Sequence, residues 1–352
     1  MCAAFVPRFV SLHFIMYEHL VLSGGLIYGC AFYGALKEMH RCGRWSNESL
    51  KSVHATSVGC VVAIFVAMIA HVDSGSDSNP WFRSADTGEK LDIWDIIDRY
   101  LIDRPWQDVF QVSVSTLVHG YDRCGIMDSS CFRDIFAPLF AAFDVSIDVT
   151  LQEFYERFPV ELYFMTVCLG NDNHGNGNER NHGNGGRLVE LSHTTHPHWT
   201  VLDACYASCC APMAFRPLVK EGRLYTDGCL LANYPIAQCR ARYGHEPEFV
   251  RRTLGIYICP PGPISSDTVF VTPPDLMTSL SQIMQFVVHT SNRVQSAAEC
   301  AGSDDPCDEI NIDTSWYPYT ALYTFIHSRE DRIKMIECGI DAARRICSST
   351  ES

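Results

Sequence analysis

The chain has 352 residues, 47% hydrophobic and 19% charged, which suits a globular protein with a large core and excludes a disordered one. With 27 basic against 41 acidic residues its formal charge is −14, a balance that repels phosphate backbones and sets nucleic-acid binding aside. The 17 cysteines are odd in number, scattered, and without the CxxC pairs of a zinc site, so they read as thiols of a reduced, cytosolic protein.

Residues 1–16 are apolar but carry Pro7 and Arg8, no basic n-region and no small-residue cleavage site, so they read as an N-terminal leader, non-native or disordered, rather than a signal peptide. From Tyr17 to Ser23 a β-rich run stops at Gly24-Gly25, and "GCAFYGALKEMHRCG" continues with helical spacing. "LKSVHA" and the apolar run from Ser57 to Ala70 repeat the pattern of strand, tight turn and helix. That run is uncharged but only 14 residues long, short of the roughly 20 needed to cross a bilayer. Two such units predict an α/β fold with a mainly parallel sheet. Residues 73–90 are a polar loop, and 91–143 read as mainly helical. Residues 159–169, "PVELYFMTVCL", predict a strand. The Asn- and Gly-rich stretch 170–186 predicts a flexible insertion, whose His174 and His182 read as solvated rather than metal-binding. Then come a strand, a small-residue helix ending at Pro212, a strand ending at Asp227-Gly228, and the buried strand "TLGIYIC". Two amphipathic helices, Leu276–Ala298 and Arg329–Cys347, separated by a loop, complete the chain. No repeat or linker divides it, so residues 17–347 read as one domain.

Three short stretches carry candidate chemistry. In "ATSVG", Ser57 sits between Ala55 and Gly59, small residues that allow a sharp strand-to-helix turn lifting a nucleophilic hydroxyl above the sheet. The same serine equally suits a helix cap. "LSGGLIYG", residues 22–29, sets consecutive backbone amides at a helix start, an anion site or simply a tight turn. "YTDGCLLANYP" ends a strand at Asp227 beside Gly228, a carboxylate facing a cleft or an ordinary Asp-Gly turn.

Taken in this order, the three stretches resemble the patatin-like phospholipase family over about residues 18–260. The glycine turn matches at Gly24, Gly25 and Gly29, the elbow at Ser57 with Gly59, and the aspartate at Asp227 with Gly228. "DACYASCCAPMAFRPL" and Asn233-Tyr234-Pro235 are similar to the family's helix, proline and post-aspartate segments. The resemblance implies a three-layer α/β/α fold and a lipid acyl hydrolase of the phospholipase A type. It implies Ser57 as nucleophile, Asp227 as general base, an oxyanion hole at Gly24, Gly25 and Leu26, an acyl-enzyme intermediate and no cofactor. Leu26 stands where the family's turn has a third glycine, Tyr28 where a basic residue is common, and Ala55 and Cys229 where glycines are usual. A leucine pays a steric penalty for positive φ, so the hole is expected to be reshaped.

Two other readings compete. A conventional α/β-hydrolase would follow the acid with a histidine, for which His245, His289 and His327 are available. A lipid-binding protein with an impaired site has Leu26 as its best support. The implied partner is a phospholipid or other acyl lipid met at a membrane surface, with no protein partner indicated, which makes a cytoplasmic protein with peripheral membrane association. "LMTSLSQIMQFVVH", residues 276–289, is apolar enough to touch a bilayer or to pack on the sheet, and a charge of −14 weakens attraction to anionic headgroups. Cys209 and Cys210 read as small core residues.

Overall fold

The computed structural model describes residues 16–71, 88–89, 91–111, 120, 122, 124–170, 186–259, 290, 306–317 and 321–349. The expected leader, apart from Met16, most of the polar loop and the Asn/Gly insertion, His174, His182, and the apolar helix at 276–298 apart from Thr290 lie outside them.

β1 (His19–Leu22) leads through a single 3-10 turn (Leu26–Tyr28) into α1 (Gly29–Arg41), and β2 (Ser52–Thr56) leads into α2 (Val58–Ile69). Both strands are fully buried, as parallel strands covered on two faces must be. Leu20 and Leu22 face the main core, while Val21 packs with Ile236, Cys239 and Phe249 on the other side. The next elements are α3 (Ile93–Asp103), capped by Asp92, α4 (Trp106–Val109), β3 (Gly125–Met127), α5 (Ser130–Ala142) and α6 (Leu151–Arg157), opened by a Thr150–Glu153 capping box. They are followed by β4 (Glu161–Leu169), β5 (Arg187–Leu191), α7 (Val201–Cys209), β6 (Met213–Phe215), β7 (Leu218–Lys220) and β8 (Arg223–Asp227). α8 (Cys229–Ala232), α9 (Ile236–Tyr243), α10 (Phe249–Arg252), β9 (Thr253–Cys259), β10 (Asp308–Asp313), α11 (Leu322–His327) and α12 (Arg329–Ser349) complete the described chain.

The main sheet runs β10-β9-β1-β2-β4-β8-β7, with β5 also on β4. β10, β9, β1, β2 and β4 are parallel; β5 and β8 are antiparallel to β4, and β7 to β8. α1, α2, α5, α7 and α12 cover one face, and α9 and α10 the other, so the expected three-layer α/β/α fold with a mainly parallel sheet is what the chain adopts. No described helix is long and apolar enough to cross a membrane.

β4 is the strand that assembles the site. β5 occupies one of its edges from Phe164 to Cys168, so β2 and β8 share the other. β2 pairs as far as Thr56↔Met165, and β8 takes over from Thr166↔Asp227. The two strands therefore meet tip to tip, with Ser57 at one tip and Asp227 at the other.

Two strands were not foreseen. The described residues of 91–143 are mainly helical, as expected, but include the unforeseen strand β3, which pairs with β6. The loop expected before the last helix contains β10, an edge strand whose only buried residues are Ile310 and Ile312, too few apolar positions to announce itself.

Candidate active site

Ser57 leaves β2 with φ 53 and ψ −130 and opens α2. A non-glycine residue in such a region costs about 1–3 kcal/mol and persists only where its surroundings hold it. Gly59 permits it: a Cβ there would lie 2.7 Å from the Ser23 carbonyl oxygen and 2.8 Å from that of Leu22. The Ser57 N–H donates to Ser208 Oγ at 2.9 Å. Although Ser57 occupies the N-cap position, its hydroxyl caps nothing; it donates instead to Asp227 Oδ2 at 2.7 Å, across 170 residues of sequence.

Asp227 is 1% exposed. Its second oxygen, Oδ1, accepts the Cys229 N–H at 2.8 Å. Burial pushes its carboxyl up from 3.8 to about 6, a rise moderated by the Cys229 amide and the Ser57 hydroxyl, both of which favour the charged form. The Asp227 N–H donates to the Cys210 carbonyl at 3.2 Å and the Gly228 N–H to that of Ser208 at 3.3 Å. Gly228 is crowded against β4, since a Cβ on it would stand 2.1 Å from the Met165 oxygen.

The glycine turn lies directly beside the serine: a Cβ on Gly24 would be 3.2 Å from Ser57 Cβ. The Gly24 N–H donates to the Asn233 carbonyl at 2.9 Å, whereas those of Gly25 and Leu26 have no acceptor among the described residues. Leu26 has φ 47, the left-handed conformation anticipated to cost a leucine, and is 42% exposed. Tyr28, standing where a basic residue was expected, is buried and donates its hydroxyl to the Tyr317 carbonyl at 2.6 Å, tying the turn to the segment after β10. Gly29 starts α1 against Val58, and Ala55 is buried in β2 facing the main core.

Of the histidines considered as bases, His245 and His327 are exposed and His289 lies outside the described residues. Among the described residues no histidine hydrogen-bonds Ser57 or Asp227. Cys60, Cys205, Cys209, Cys210 and Cys229 are buried near the pair, and burial pushes their thiols up. The cysteines whose side chains the structure describes are free thiols. Among the described residues one group has metal-ligand spacing, Glu18, His19 and Glu246. It sits at the amino ends of the strands, away from Ser57 and Asp227, and Glu18 is already paired with Lys51 at 2.6 Å and Arg252 at 2.7 Å. Clefts of about 620 and 520 Å³ open at the same distant end.

Two partners were not visible in the sequence. The Asn233 carbonyl holds Gly24, and Ser208 holds Ser57. A serine inside a run of small residues carries no signal beyond helix packing.

A strained serine at the carboxyl end of β2 and a buried carboxylate at the carboxyl end of the antiparallel β8, beside backbone amides with no acceptor among the described residues, form a serine–carboxylate site on an α/β fold. The family model for patatin-like phospholipases matches residues 20–240, and the chain belongs to that family. No curated protein matches significantly. Among solved structures, the chain is similar to VipD from Legionella pneumophila at 16% identity and TM-score 0.42, covering 95% of this chain and 67% of that one. It is similar to the type III effector protein ExoU at 11% identity and TM-score 0.34, covering 94% of this chain and 53% of that one. In the complex of full-length SpcU with ExoU from the type III secretion system of Pseudomonas aeruginosa, the likeness is 15% identical with TM-score 0.31, covering 80% of this chain and 51% of that one. The chain thus spans about two thirds of the first and about half of the other two.

Proposed function

We propose that the protein is a phospholipase A-type lipid acyl hydrolase that cleaves carboxylic esters of phospholipids through a Ser57–Asp227 dyad. The observation that carries this is the buried 2.7 Å hydrogen bond from Ser57 Oγ to Asp227 Oδ2. Asp227 accepts the hydroxyl proton as Ser57 Oγ attacks the ester carbonyl. The resulting oxyanion is held by the unengaged N–H groups of Gly25 and Leu26, aided by the positive end of α2, whose first residue follows Ser57. Collapse breaks the ester bond, Asp227 returns the proton to the leaving alkoxide, and lysophospholipid departs. Water, deprotonated by the same carboxylate, then hydrolyses the acyl-enzyme to fatty acid and free Ser57. Asp227 Oδ1 stays fixed on the Cys229 amide, so Oδ2 does the proton transfer. Gly24, whose amide serves Asn233, contributes turn shape rather than a donor.

The test combines fluorophosphonate labelling of wild type, Ser57→Ala and Asp227→Asn, read by intact mass, with fatty-acid release from mixed phospholipid vesicles. A single adduct absent from Ser57→Ala, with release lost in both variants, is expected. Folded wild type that takes no adduct and releases no fatty acid overturns the proposal, and so does release that survives Ser57→Ala.

A further inference from the structure

We infer that Ser208 is a positioning residue that fixes the attack geometry of Ser57 and ties the two halves of the dyad together; the inference rests on the hydrolase reading above. β2 and β8 abut along one edge of β4, and two backbone groups meet Ser208 at the junction. One is the Ser57 N–H, which points out of β2 where the chain turns; the other is the Met165 carbonyl of β4. Ser208 Oγ stands between them. It accepts from Ser57 N–H at 2.9 Å and donates to Met165 O at 2.5 Å. Its second lone pair takes the Cys60 thiol at 3.1 Å, so the hydroxyl is saturated in a site that is 0% exposed. Ser57 and Met165 are both buried, where leaving a backbone polar group unmet is costly.

The same residue reaches the other half of the pair. The Ser208 carbonyl accepts the Gly228 N–H, next to Asp227, and the Cys210 carbonyl accepts the Asp227 N–H. The carboxyl end of α7 thereby holds Ser57 by a side chain and Asp227 by main chain. The hydroxyl touches neither the nucleophilic oxygen nor the ester; it acts on the nucleophile's backbone, which at φ 53 needs holding. Without it the Ser57 N–H loses its acceptor, the turn relaxes, and Oγ drifts from Asp227 Oδ2. A misplacement of about 1 Å costs roughly 100-fold in rate.

The experiment follows fluorophosphonate labelling of wild type, Ser57→Ala, Ser208→Ala and Ser208→Thr against time and pH. The amplitude reports the folded fraction and the rate constant reports the geometry of each folded site. Ser208→Ala should lower the rate constant about 10- to 100-fold. Its pH limb should move upward, because the Ser57 hydrogen bond that stabilises ionised Asp227 is weakened as Oγ drifts away. Ser208→Thr, which keeps the hydroxyl, should restore the rate constant among whatever fraction folds. A wild-type rate constant in Ser208→Ala, with only amplitude reduced, overturns the inference, as does a Ser208→Thr rate constant as low as that of Ser208→Ala. Wild type that is not labelled, or Ser57→Ala that is, removes the dyad reading and this inference with it.

Discussion

At the scale of single residues, the proposed mechanism makes Asp227 the group that sets the working pH. Its carboxyl must be ionised to accept a proton, and burial holds it at about 6. Acylation should therefore rise with pH through about 6 and level off above it, the reverse of a reaction needing the protonated acid. Asp227→Asn should abolish this limb and lower the rate by about 10²–10⁴-fold; a pH profile of fatty-acid release checks both. Leu26 is the second residue-scale case. At φ 47 the leucine pays a steric cost, whereas glycine would relieve it but lose more chain entropy on folding. The two nearly cancel, so Leu26→Gly should change stability by less than about 1 kcal/mol, while β-branched Leu26→Val should lose about 1–2 kcal/mol. Urea melts of the two variants separate these outcomes. The strain at Leu26 was legible in the sequence because it stands where a turn uses glycine. The engagement of Gly24 by Asn233 was not, since a backbone carbonyl carries no residue-type signal.

At the scale of elements, the strand–turn–helix units around Gly24 and Ser57 were legible, because apolar runs broken by small residues admit little else. The pairing of Ser57 with Asp227 came from family resemblance, since nothing local joins positions 170 apart; its physical basis is the tip-to-tip meeting of β2 and β8 along β4. Equally hidden was how α12 packs. A Cβ on Gly34 of α1 would lie 2.1 Å from the Ile336 oxygen, and one on Gly339 of α12 would lie 1.9 Å from the Ala31 oxygen. The two helices thus approach backbone to backbone, each through a glycine that opposes the other's carbonyl. The sequence shows a glycine inside each amphipathic helix, which reads merely as weakened helix propensity. Because backbone atoms cannot swing aside as side chains do, Gly34→Ala and Gly339→Ala should each lose about 1–3 kcal/mol, even though alanine is the better helix former. Equilibrium denaturation checks this; a stabilised variant of either kind would show that the helices slide apart at no cost.

At the scale of the whole molecule, the sheet has two chemically different ends. Its carboxyl end carries the Ser57–Asp227 pair, and its amino half buries imidazoles under α9. His54 is 0% exposed in β2, stacked on Tyr163 with ring centroids 4.4 Å apart and edge-on to Tyr243 at 5.8 Å. Neither ring nitrogen has a hydrogen-bond partner among the described residues. Burial first, then the charges of Arg242 and His19, lowers its pKa well below 6.5. Facing groups include Glu161, bonded to Tyr243, and Glu190, paired with Arg242. A base whose folded pKa is depressed binds fewer protons folded than unfolded. Its contribution is complete above about 6.5 and is lost as pH falls below that value, at most about 1.4 kcal/mol per pH unit. His19, whose pKa burial also lowers, acts in the same direction. Asp227 opposes them, because its folded pKa is raised from 3.8 to about 6 and protonation below about 6 favours the folded state. Between about pH 6.5 and 6 the histidines act without that offset, so stability should fall there and then more gently. His54→Phe keeps an aromatic ring against Tyr163 and removes the titration, so the variant should lose less stability than wild type between about pH 7.5 and about pH 5.5. Urea midpoints at the two pH values make the comparison. Equal losses in the two proteins would assign the acid sensitivity to groups other than His54.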